Sequence, residues 1–292
     1  MRCPAKLNLC LHVVGRRSDG YHDLRGVIVP IPWFDELEVE TDPSGRGVEL
    51  VLDPTIEKVP ADRRNLAVRA AEVFLGVVGK TVGVRIRLSK DIPVGAGLGG
   101  GSSNAAAVLR ILNERLGRPL AFSDLYRLAA SIGADCPFFL APRPSQMSGR
   151  GDVLVALPGF LSLPLLVVVP RQRLSTSDIF AAFANLGLTR DRGNGKDFCP
   201  LGQDQGSRTE PEWVGIGVND LSEAVFEGCP RTCQWVTALS GAGTRASGVT
   251  GTGSAAFGVF DTLDAARSAL RALQGSMLPG ERAMALMSGM DS

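Results

Sequence analysis

Histidine and closely spaced cysteine are scarce in this sequence. It has only two histidines, His12 and His22, and no Cys-x-x-Cys pair. Its six cysteines are Cys3, Cys10, Cys136, Cys199, Cys229 and Cys233. Zinc sites are built from closely spaced cysteine and histidine ligands, so this composition argues against one. The cysteines are expected to be reduced thiols, with Cys10 and Cys136 as small core residues.

An excess of charge of either sign is also absent. Lysine and arginine number 31, against 30 for aspartate and glutamate, which gives a net charge of +1. This balance provides no reason to expect a nucleic acid or an anionic membrane as a partner. Any anion site must therefore be local.

Long hydrophobic runs are missing as well. The run Leu7–Val14 is interrupted by Asn8 and His12, so no signal peptide is expected. Leu161–Val169 is too short to span a bilayer and contains Pro164. With 292 residues, 45% of them hydrophobic and 21% charged, the chain is expected to form a cytoplasmic protein of two modest domains.

A glycine-rich stretch is the most specialised part of the chain. It consists of Pro93, Val94, Gly95, Ala96, Gly97, Leu98, Gly99, Gly100, Gly101, Ser102 and Ser103. Five glycines in the seven positions 95–101 permit positive φ angles and leave no Cβ to hold an anion away from the backbone N–H groups. The stretch therefore predicts a phosphate-binding loop.

A helix is predicted directly after this loop. Ser102 and Ser103 are good N-cap residues, and the pattern ends at Gly117 and Pro119. One helical face carries Ala105, Val108, Leu109, Leu112 and Leu116. A glycine loop that leads into a helix N-terminus offers an anion both N–H donors and the positive end of the helix dipole.

Two other phosphate-binding loops do not fit. A Walker A loop ends in Gly-Lys-Ser or Gly-Lys-Thr, and this loop has no lysine. The dinucleotide fingerprint G-x-G-x-x-G is matched within residues 95–100, but residues 82–88 alternate as in a half-exposed antiparallel strand. Glu114, at about the right distance for the ribose-binding acid, lies inside the predicted helix.

Two strands are predicted near the N-terminus, at residues 5–14 and 27–31, with a turn between them. Lys6 therefore lies on the first strand. Tyr21 and His22 follow the turn.

Capping residues delimit two further helices. Asn65 is predicted to cap a helix that ends at Gly79 and packs on the first sheet. Ser123 is predicted to cap a helix that ends at Gly133, and Asp135 then lies in a turn.

The second half of the chain again mixes strands and helices. Strands are predicted at 165–169 and 257–260, helices at 178–184, 221–226 and 264–273, and a second glycine turn at 249–254. Residues 189–211 are polar and aperiodic, which predicts an exposed excursion. The whole pattern predicts an α+β protein.

The glycine loop and the alanine-rich helix after it resemble the ATP loop and following helix of the GHMP small-molecule kinases. Four other stretches complete the resemblance, and they are Pro4–Leu9, Gly15–His22, Gly133–Phe138 and Thr250–Ser254. The first two are similar to the branch that phosphorylates a cytidine diphosphate-linked methylerythritol in the non-mevalonate isoprenoid pathway. The resemblance runs from residue 4 to about 188 and resumes near Asn219.

This resemblance implies an ATP-dependent kinase that phosphorylates one hydroxyl of that cytidine diphosphate-linked substrate, giving the 2-phosphate. Such a transfer needs a neutralised donor phosphate, an aimed hydroxyl and a group that accepts the hydroxyl proton. By resemblance, Asp135 accepts the proton, while Lys6 keeps that carboxylate ionised and compensates charge near the transferred group. Mg²⁺ is expected with ATP, without a protein ligand that can be named.

The resemblance also implies which residues contact the two ligands. Asn65 and Lys90 are expected near the adenosine of ATP. Substrate contacts are expected from Asn8, Tyr21, His22, Ile28, Thr176 and Phe180. Ile28 stands where the resembling kinases commonly have an aromatic residue, so it can pack on cytosine but cannot stack as a ring does.

The resembling kinases combine an N-terminal domain like the second domain of ribosomal protein S5 with a ferredoxin-like C-terminal domain. This implies an ATP- and substrate-binding domain at 1–159 and a second domain at 160–292 that contains the polar excursion, with the site in the cleft between them. Two other functions remain open: a GHMP kinase for a sugar or homoserine-like alcohol, and a non-catalytic nucleotide sensor.

Overall fold

The fold is described from a computed structural model that covers residues 1–53, 59–187 and 215–289. Strands and helices occur throughout these residues, which confirms the α+β class. The chain forms two compact units, each assembled from separate stretches of sequence. Unit 1 is Met1–Ala5, Trp33–Pro93 and Gly99–Pro142, and unit 2 is Lys6–Pro32, Val94–Leu98 and Arg143–Ser292.

The described residues form the following elements. The strands are β1 Arg2–Arg16, β2 His22–Asp42, β3 Val48–Leu52, β4 Gly83–Ser89, β5 Ser145–Ser148, β6 Val153–Ala156, β7 Pro164–Val169, β8 Ala246–Val249, β9 Ala256–Val259 and β10 Arg282–Met287. The α-helices are α1 Leu66–Val78, α2 Gly100–Arg115, α3 Phe122–Ile132, α4 Thr176–Asn185, α5 Ser222–Gly228, α6 Pro230–Gly241 and α7 Leu263–Leu273. Short 3₁₀ helices lie at Pro137–Leu140 and Gln274–Ser276.

In unit 1, strand β4 lies between β2 and β3. It pairs antiparallel with β2, from Glu36 opposite Ser89 to Asp42 opposite Gly83, and parallel with β3. Its residues alternate between buried and exposed, as the sequence predicts for 82–88. Helix α1 packs on β3, β4 and α2, and α3 packs on both α1 and α2. The predicted packing of the Asn65 helix on the first sheet is therefore confirmed.

Unit 2 contains the first part of β2, which pairs antiparallel with β5, and β5 pairs antiparallel with β6. It also contains an antiparallel sheet with the strand order β10-β7-β9-β8. Helices α6 and α7 pack on this sheet around a core of Leu166, Val168, Trp235, Leu239, Ala256, Phe260, Ala266 and Ala269. The chain order of strand, helices, two strands, helix and strand is that of a ferredoxin-like domain, as predicted.

Two helices begin earlier than predicted. Helix α2 starts at Gly100 behind Gly99, so Ser102 and Ser103 lie in its first turn and are not its N-caps. Gly99 has a φ of +72°, a left-handed conformation that turns the chain into the helix before the serines are reached. Helix α3 likewise starts before Ser123, because the carbonyl group of Ala121 already accepts the first helical hydrogen bonds.

Two predictions about domain organisation are not tested by this fold. The boundary after residue 159 stays a prediction. The polar excursion at 189–211 lies outside the described residues. No helix in residues 1–53, 59–187 and 215–289 combines the length and the apolar character that a membrane span requires.

Helix α1 provides a test of the predicted cap. The Oδ1 atom of Asn65 accepts a hydrogen bond from the N–H group of Ala67 at 3.0 Å, so Asn65→Ala should lower the free energy of unfolding by about 1 kcal/mol. Asn65→Asp keeps a capping oxygen and should retain most of the stability. Urea unfolding with linear extrapolation measures both variants. Equal stability of the alanine variant and the native chain would show that the cap contributes nothing.

Candidate active site

Residues 94–98 of the glycine loop belong to unit 2 and are held there through their carbonyl groups. The hydrogen bonds run from Leu174 N–H to Gly95 O (3.2 Å), from Ala255 N–H to Ala96 O (3.2 Å) and from Lys6 N–H to Leu98 O (2.9 Å). Within the described residues, none of the amide N–H groups of 94–99 donates a hydrogen bond. The loop is thus fixed by its acceptors, and its donors remain available for a ligand.

Glycine is required within this loop by backbone conformation and by space. The φ angles of Gly95, Gly97 and Gly99 are +69°, +76° and +72°. A Cβ at Gly97 would overlap the carbonyl oxygen of Thr250 and lie 3.0 Å from that of Gly253. The predicted use of glycine for positive φ is confirmed at these three positions.

The N-terminus of α2, in unit 1, provides further N–H donors. Its first N–H groups, on Gly100, Gly101 and Ser102, have no intrahelical acceptor, and Gly99 has no side chain to cap them. The Oγ atom of Ser103 is buried and has no hydrogen-bond partner among the described residues. These groups and the positive end of the helix dipole favour an anion at this position.

Lys6 and Asn8 are neighbours on β1, as the predicted strand requires. Their side chains are buried, and the Nζ atom of Lys6 donates to the Oδ1 atom of Asn8. Gly251 has a φ of +57°, and a Cβ there would lie 3.2 Å from Lys6 Nζ and 3.4 Å from the carbonyl oxygen of Gly97. The structure therefore brings the Lys6 ammonium group close to both glycine turns.

The second glycine turn is held by a residue whose role the sequence did not reveal. Buried Asn219 donates from Nδ2 to the carbonyl oxygens of Val249 at 3.0 Å and Gly251 at 2.7 Å. The hydroxyl of Thr250 accepts from the backbone N–H of Asn8 at 2.8 Å. No local pattern signals these bonds, because each joins residues distant in sequence.

Asp135 lies in unit 1, in the turn between α3 and the 3₁₀ helix, where the sequence predicts it. The N–H group of Cys136 donates to the carbonyl oxygen of Gly133 at 3.1 Å, which closes the turn. Burial raises the pKa of the Cys136 thiol to about 12, so this thiol stays protonated at neutral pH. Asp135 is half-buried in this turn, and its role as the proton acceptor stays a prediction.

Both residues expected near adenosine are engaged within unit 1. Asn65 caps α1 and also donates from Nδ2 to the carbonyl oxygen of Pro60 at 3.0 Å. The ammonium group of Lys90 forms an ion pair with Asp35 and donates to Asn104 Oδ1 at 3.1 Å. Their polar side-chain atoms serve the fold in this structure, and a contact with adenosine stays a prediction.

His22 lies at the start of β2 and stacks on Phe180 of α4. The ring centroids are 5.0 Å apart with planes at 15°, and Phe183 contacts the imidazole edge at 6.2 Å. Burial lowers the pKa of His22, with a further contribution from Arg16, which favours the neutral imidazole. Its Nε2 atom is buried without a hydrogen-bond partner in the described residues, which suits it to bind a ligand.

The other expected substrate contacts differ in exposure. Tyr21 is 57% exposed, and the Arg150 guanidinium lies 5.2 Å from its ring centroid. The hydroxyl of Thr176 lies 3.2 Å from that of Thr252 in the second glycine turn. Ile28 is 0% exposed, so a contact with cytosine would require its neighbours to move, and that assignment stays a prediction.

Two family models match the chain: the GHMP kinases N terminal domain over residues 65–142 and the GHMP kinases C terminal domain over residues 208–279. A 4-diphosphocytidyl-2-C-methyl-D-erythritol kinase of Syntrophotalea carbinolica is 36% identical over 283 residues, which are 97% of this chain and 96% of that protein. One from Geobacter sp. (strain M21) is 39% identical over 267 residues, which are 91% of each chain.

Solved structures show the same fold. A crystal structure of 4-(cytidine 5'-diphospho)-2C-methyl-D-erythritol kinase matches with a TM-score of 0.75 and 35% identity, over 100% of this chain and 99% of that one. A homoserine kinase from Cytophaga hutchinsonii matches with a TM-score of 0.67 over 99% of this chain and 96% of that one. Its 18% identity supports likeness of fold alone. The predicted two-domain GHMP kinase fold is confirmed.

The packing of Gly97 against the Thr250 turn predicts the effect of a single methyl group. Gly97→Ala should weaken ATP binding at least about 10-fold, because the loop must move to relieve the overlap and the positive φ becomes strained. Gly76→Ala is the matched control, since a Cβ at Gly76 in α1 meets nothing within 4 Å. Calorimetry measures ATP affinity in both variants. Native affinity in a folded Gly97→Ala protein would place the phosphate site elsewhere.

Proposed function

Because the chain belongs to the 4-diphosphocytidyl-2-C-methyl-D-erythritol kinase family of GHMP kinases, we propose that 4-diphosphocytidyl-2-C-methyl-D-erythritol is its acceptor substrate. The enzyme transfers the terminal phosphoryl group of ATP to one hydroxyl of this acceptor and forms the 2-phosphate, in the non-mevalonate isoprenoid pathway. The observation that carries the proposal is the row of N–H groups at 94–102 that donate no hydrogen bond within the described residues, together with the Ser103 hydroxyl, which has no partner there.

The donor side of the reaction rests on that row. Backbone N–H groups of 94–102 bind the phosphate oxygens of ATP, and they need no reorganisation because the loop carbonyls are already engaged. Lys6, beside both glycine turns, compensates the negative charge that spreads over the transferred group in the transition state. Because Lys6 compensates charge in the transition state, its contribution should appear mainly in kcat.

Mg²⁺ accompanies ATP in this proposal, and it would neutralise phosphate charge. In the described parts of the chain, no group of three or more histidine, cysteine, aspartate or glutamate side chains could hold a metal ion. Ser103 Oγ, a buried oxygen without a partner in those parts, is the protein group that fits such an ion. Mg²⁺ commonly keeps water and phosphate oxygens as its remaining ligands.

Asp135 is the proposed general base. It accepts the proton of the acceptor hydroxyl as that oxygen attacks phosphorus, and the bond between the terminal phosphorus and the bridging oxygen of ATP breaks. The neighbouring Cys136 cannot take this role as a thiol whose pKa is raised to about 12.

The acceptor side is organised around His22. Its neutral imidazole can exchange a hydrogen bond with the Watson–Crick edge of cytosine while Phe180 fixes the ring plane. The remaining assignments of the family pattern are contacts with Asn8, Tyr21, Ile28 and Thr176. Asn8 links the acceptor to Lys6, because its Oδ1 atom accepts from that lysine.

The same proposal includes a cytoplasmic location and a small-molecule partner, without a nucleic acid or a membrane as a partner. Near balance of charge, with a net value of +1, supports the absence of nucleic-acid and membrane partners. Cys3, Cys10, Cys136, Cys229 and Cys233 are free thiols in the structure, and the burial predicted for Cys10 and Cys136 is confirmed.

The substrate assignment is tested by comparing cytidyl and uridyl acceptors. Uracil replaces a donor by an acceptor, and a site built to hydrogen-bond one edge can reject the other by about 10⁴-fold in kcat/KM. His22→Ala should reduce the cytidyl-to-uridyl ratio by slowing the cytidyl reaction. Equal use of both nucleotides by the native enzyme, or phosphorylation of a sugar or homoserine-like alcohol instead, would contradict the proposal.

The proposed general base is tested by Asp135→Asn. This variant should keep ATP affinity but lower kcat by about 10² to 10⁴-fold, because the amide cannot accept the hydroxyl proton. Asp124→Asn on α3 removes the same charge from a surface ion pair with Arg127 and should leave kcat unchanged. Steady-state kinetics at saturating acceptor measures both. An unchanged kcat for Asp135→Asn would remove this residue from proton transfer.

A further inference from the structure

A buried carboxylate in unit 1 connects the two ends of the glycine loop. Asp35 of β2 has a fully buried side chain, and its only charged partner among the described side chains is Lys90. Lys90 lies three residues before the loop residue Pro93, and Asn104, which also contacts Asp35, follows Ser103 directly. One side chain therefore contacts the chain on both sides of residues 93–103.

The Asp35 carboxylate accepts four hydrogen bonds. Its Oδ1 atom accepts from the backbone N–H groups of Asp91 and Ile92, each at 2.9 Å. Its Oδ2 atom accepts from Asn104 Nδ2 at 3.0 Å and from Lys90 Nζ. Lys90 Nζ also donates to Asn104 Oδ1 at 3.1 Å, so the three side chains form a closed ring.

The ring also explains a glycine that backbone conformation does not require. Gly100 is the first residue of α2 and has an ordinary negative φ, unlike Gly95, Gly97 and Gly99. A Cβ at Gly100 would lie 3.0 Å from Lys90 Nζ and 3.0 Å from Ile92 Cγ2. The start of α2 therefore lies directly against the ring.

Burial of this carboxylate is costly unless donors surround it, and an apolar replacement could fill the same space. Such a replacement could not fix the direction of two backbone N–H groups, a lysine and an asparagine at once. Satisfied buried networks specify one arrangement of the groups that they join. Here those groups belong to residues 90–92, which precede the loop, and to Asn104 of helix α2, which follows it.

We propose that Asp35 is a positioning residue for ATP: by holding residues 90–92 and Asn104 together, it sets the geometry in which the loop donors meet the phosphates. Lys90 then acts through this ring, with its charge neutralised by Asp35, and not as a phosphate ligand. This inference rests on the proposed function, in which the loop binds ATP.

The test uses Asp35→Asn and the reciprocal exchange Asp35→Asn/Asn104→Asp in the full-length enzyme. Asp35→Asn places an amide NH₂ group against the donors of Lys90 and Asn104, and should raise the Kd and the KM for ATP at least about 10-fold, as expected when buried donors lose their acceptor. The KM for the acceptor should not change. The exchange restores an acceptor for Lys90 and a bond between positions 35 and 104, so ATP affinity should return most of the way.

Glu36→Gln is the matched control, because Glu36 is the exposed neighbour of Asp35 on the same strand and loses the same charge. Native ATP affinity in folded Asp35→Asn, a parallel rise in both KM values, or a folded exchange variant without recovery would each overturn the proposal. If Asp35→Asn does not fold, the exchange variant decides, and its failure to fold as well would make Asp35 a folding residue only. Absence of ATP binding by the native enzyme would instead overturn the proposed function.

Discussion

Backbone amides can bind a phosphate group well only if the chain that carries them is already fixed and its N–H groups have no other acceptor. In this protein the carbonyl groups of Gly95, Ala96 and Leu98 accept hydrogen bonds from three separate segments, while the N–H groups of 94–99 donate none within the described residues. This division between engaged acceptors and available donors is the condition on which the remaining features depend. The loop needs glycine at position 97 because a Cβ there would overlap the carbonyl oxygen of Thr250.

Two lysines lie near the glycine loop, and their surroundings differ. Lys90 precedes the loop in sequence, whereas Lys6 is distant in sequence but close in space. Lys90 is neutralised by Asp35 in a closed ring with Asn104, so its charge contributes to the fixed shape of unit 1. Lys6 donates to the neutral amide of Asn8 and lies beside Gly251 in unit 2. We therefore propose Lys6, which lies beside both glycine turns, and not Lys90 as the residue that stabilises the transferring phosphoryl group, although both residues belong to the family pattern.

Features with local causes could be predicted from the sequence. Helix α1 begins and ends where Asn65 and Gly79 place it, since a cap acts within one turn. Strand β4 could also be predicted, because its polar and apolar residues alternate as they do in any strand with one buried face. The glycine loop was predicted from its own composition, and the family pattern supplied only the role proposed for Asp135.

Features that depend on distant partners could not be predicted. The bond between Asp35 and Asn104 spans 69 positions, so the sequence did not reveal this partner, although the alternation with Leu37 and Val39 places Asp35 on the buried face of β2. Asn219 is a similar case, with partners 30 and 32 positions away. The start of α2 was misplaced because the left-handed conformation of Gly99 outweighs the capping preference of the serines that follow it.

Amide hydrogen exchange with and without a nonhydrolysable ATP analogue tests the central claim most directly, because it reports on the N–H groups themselves. Peptides that cover 94–102 should show the largest gain in protection when the analogue binds, in the absence of acceptor substrate. Peptides that cover the α6 and α7 helices, which pack on the ferredoxin-like sheet, should change little. Protection that increases elsewhere and leaves 94–102 unchanged would contradict the account, because the phosphates would then be bound by other groups.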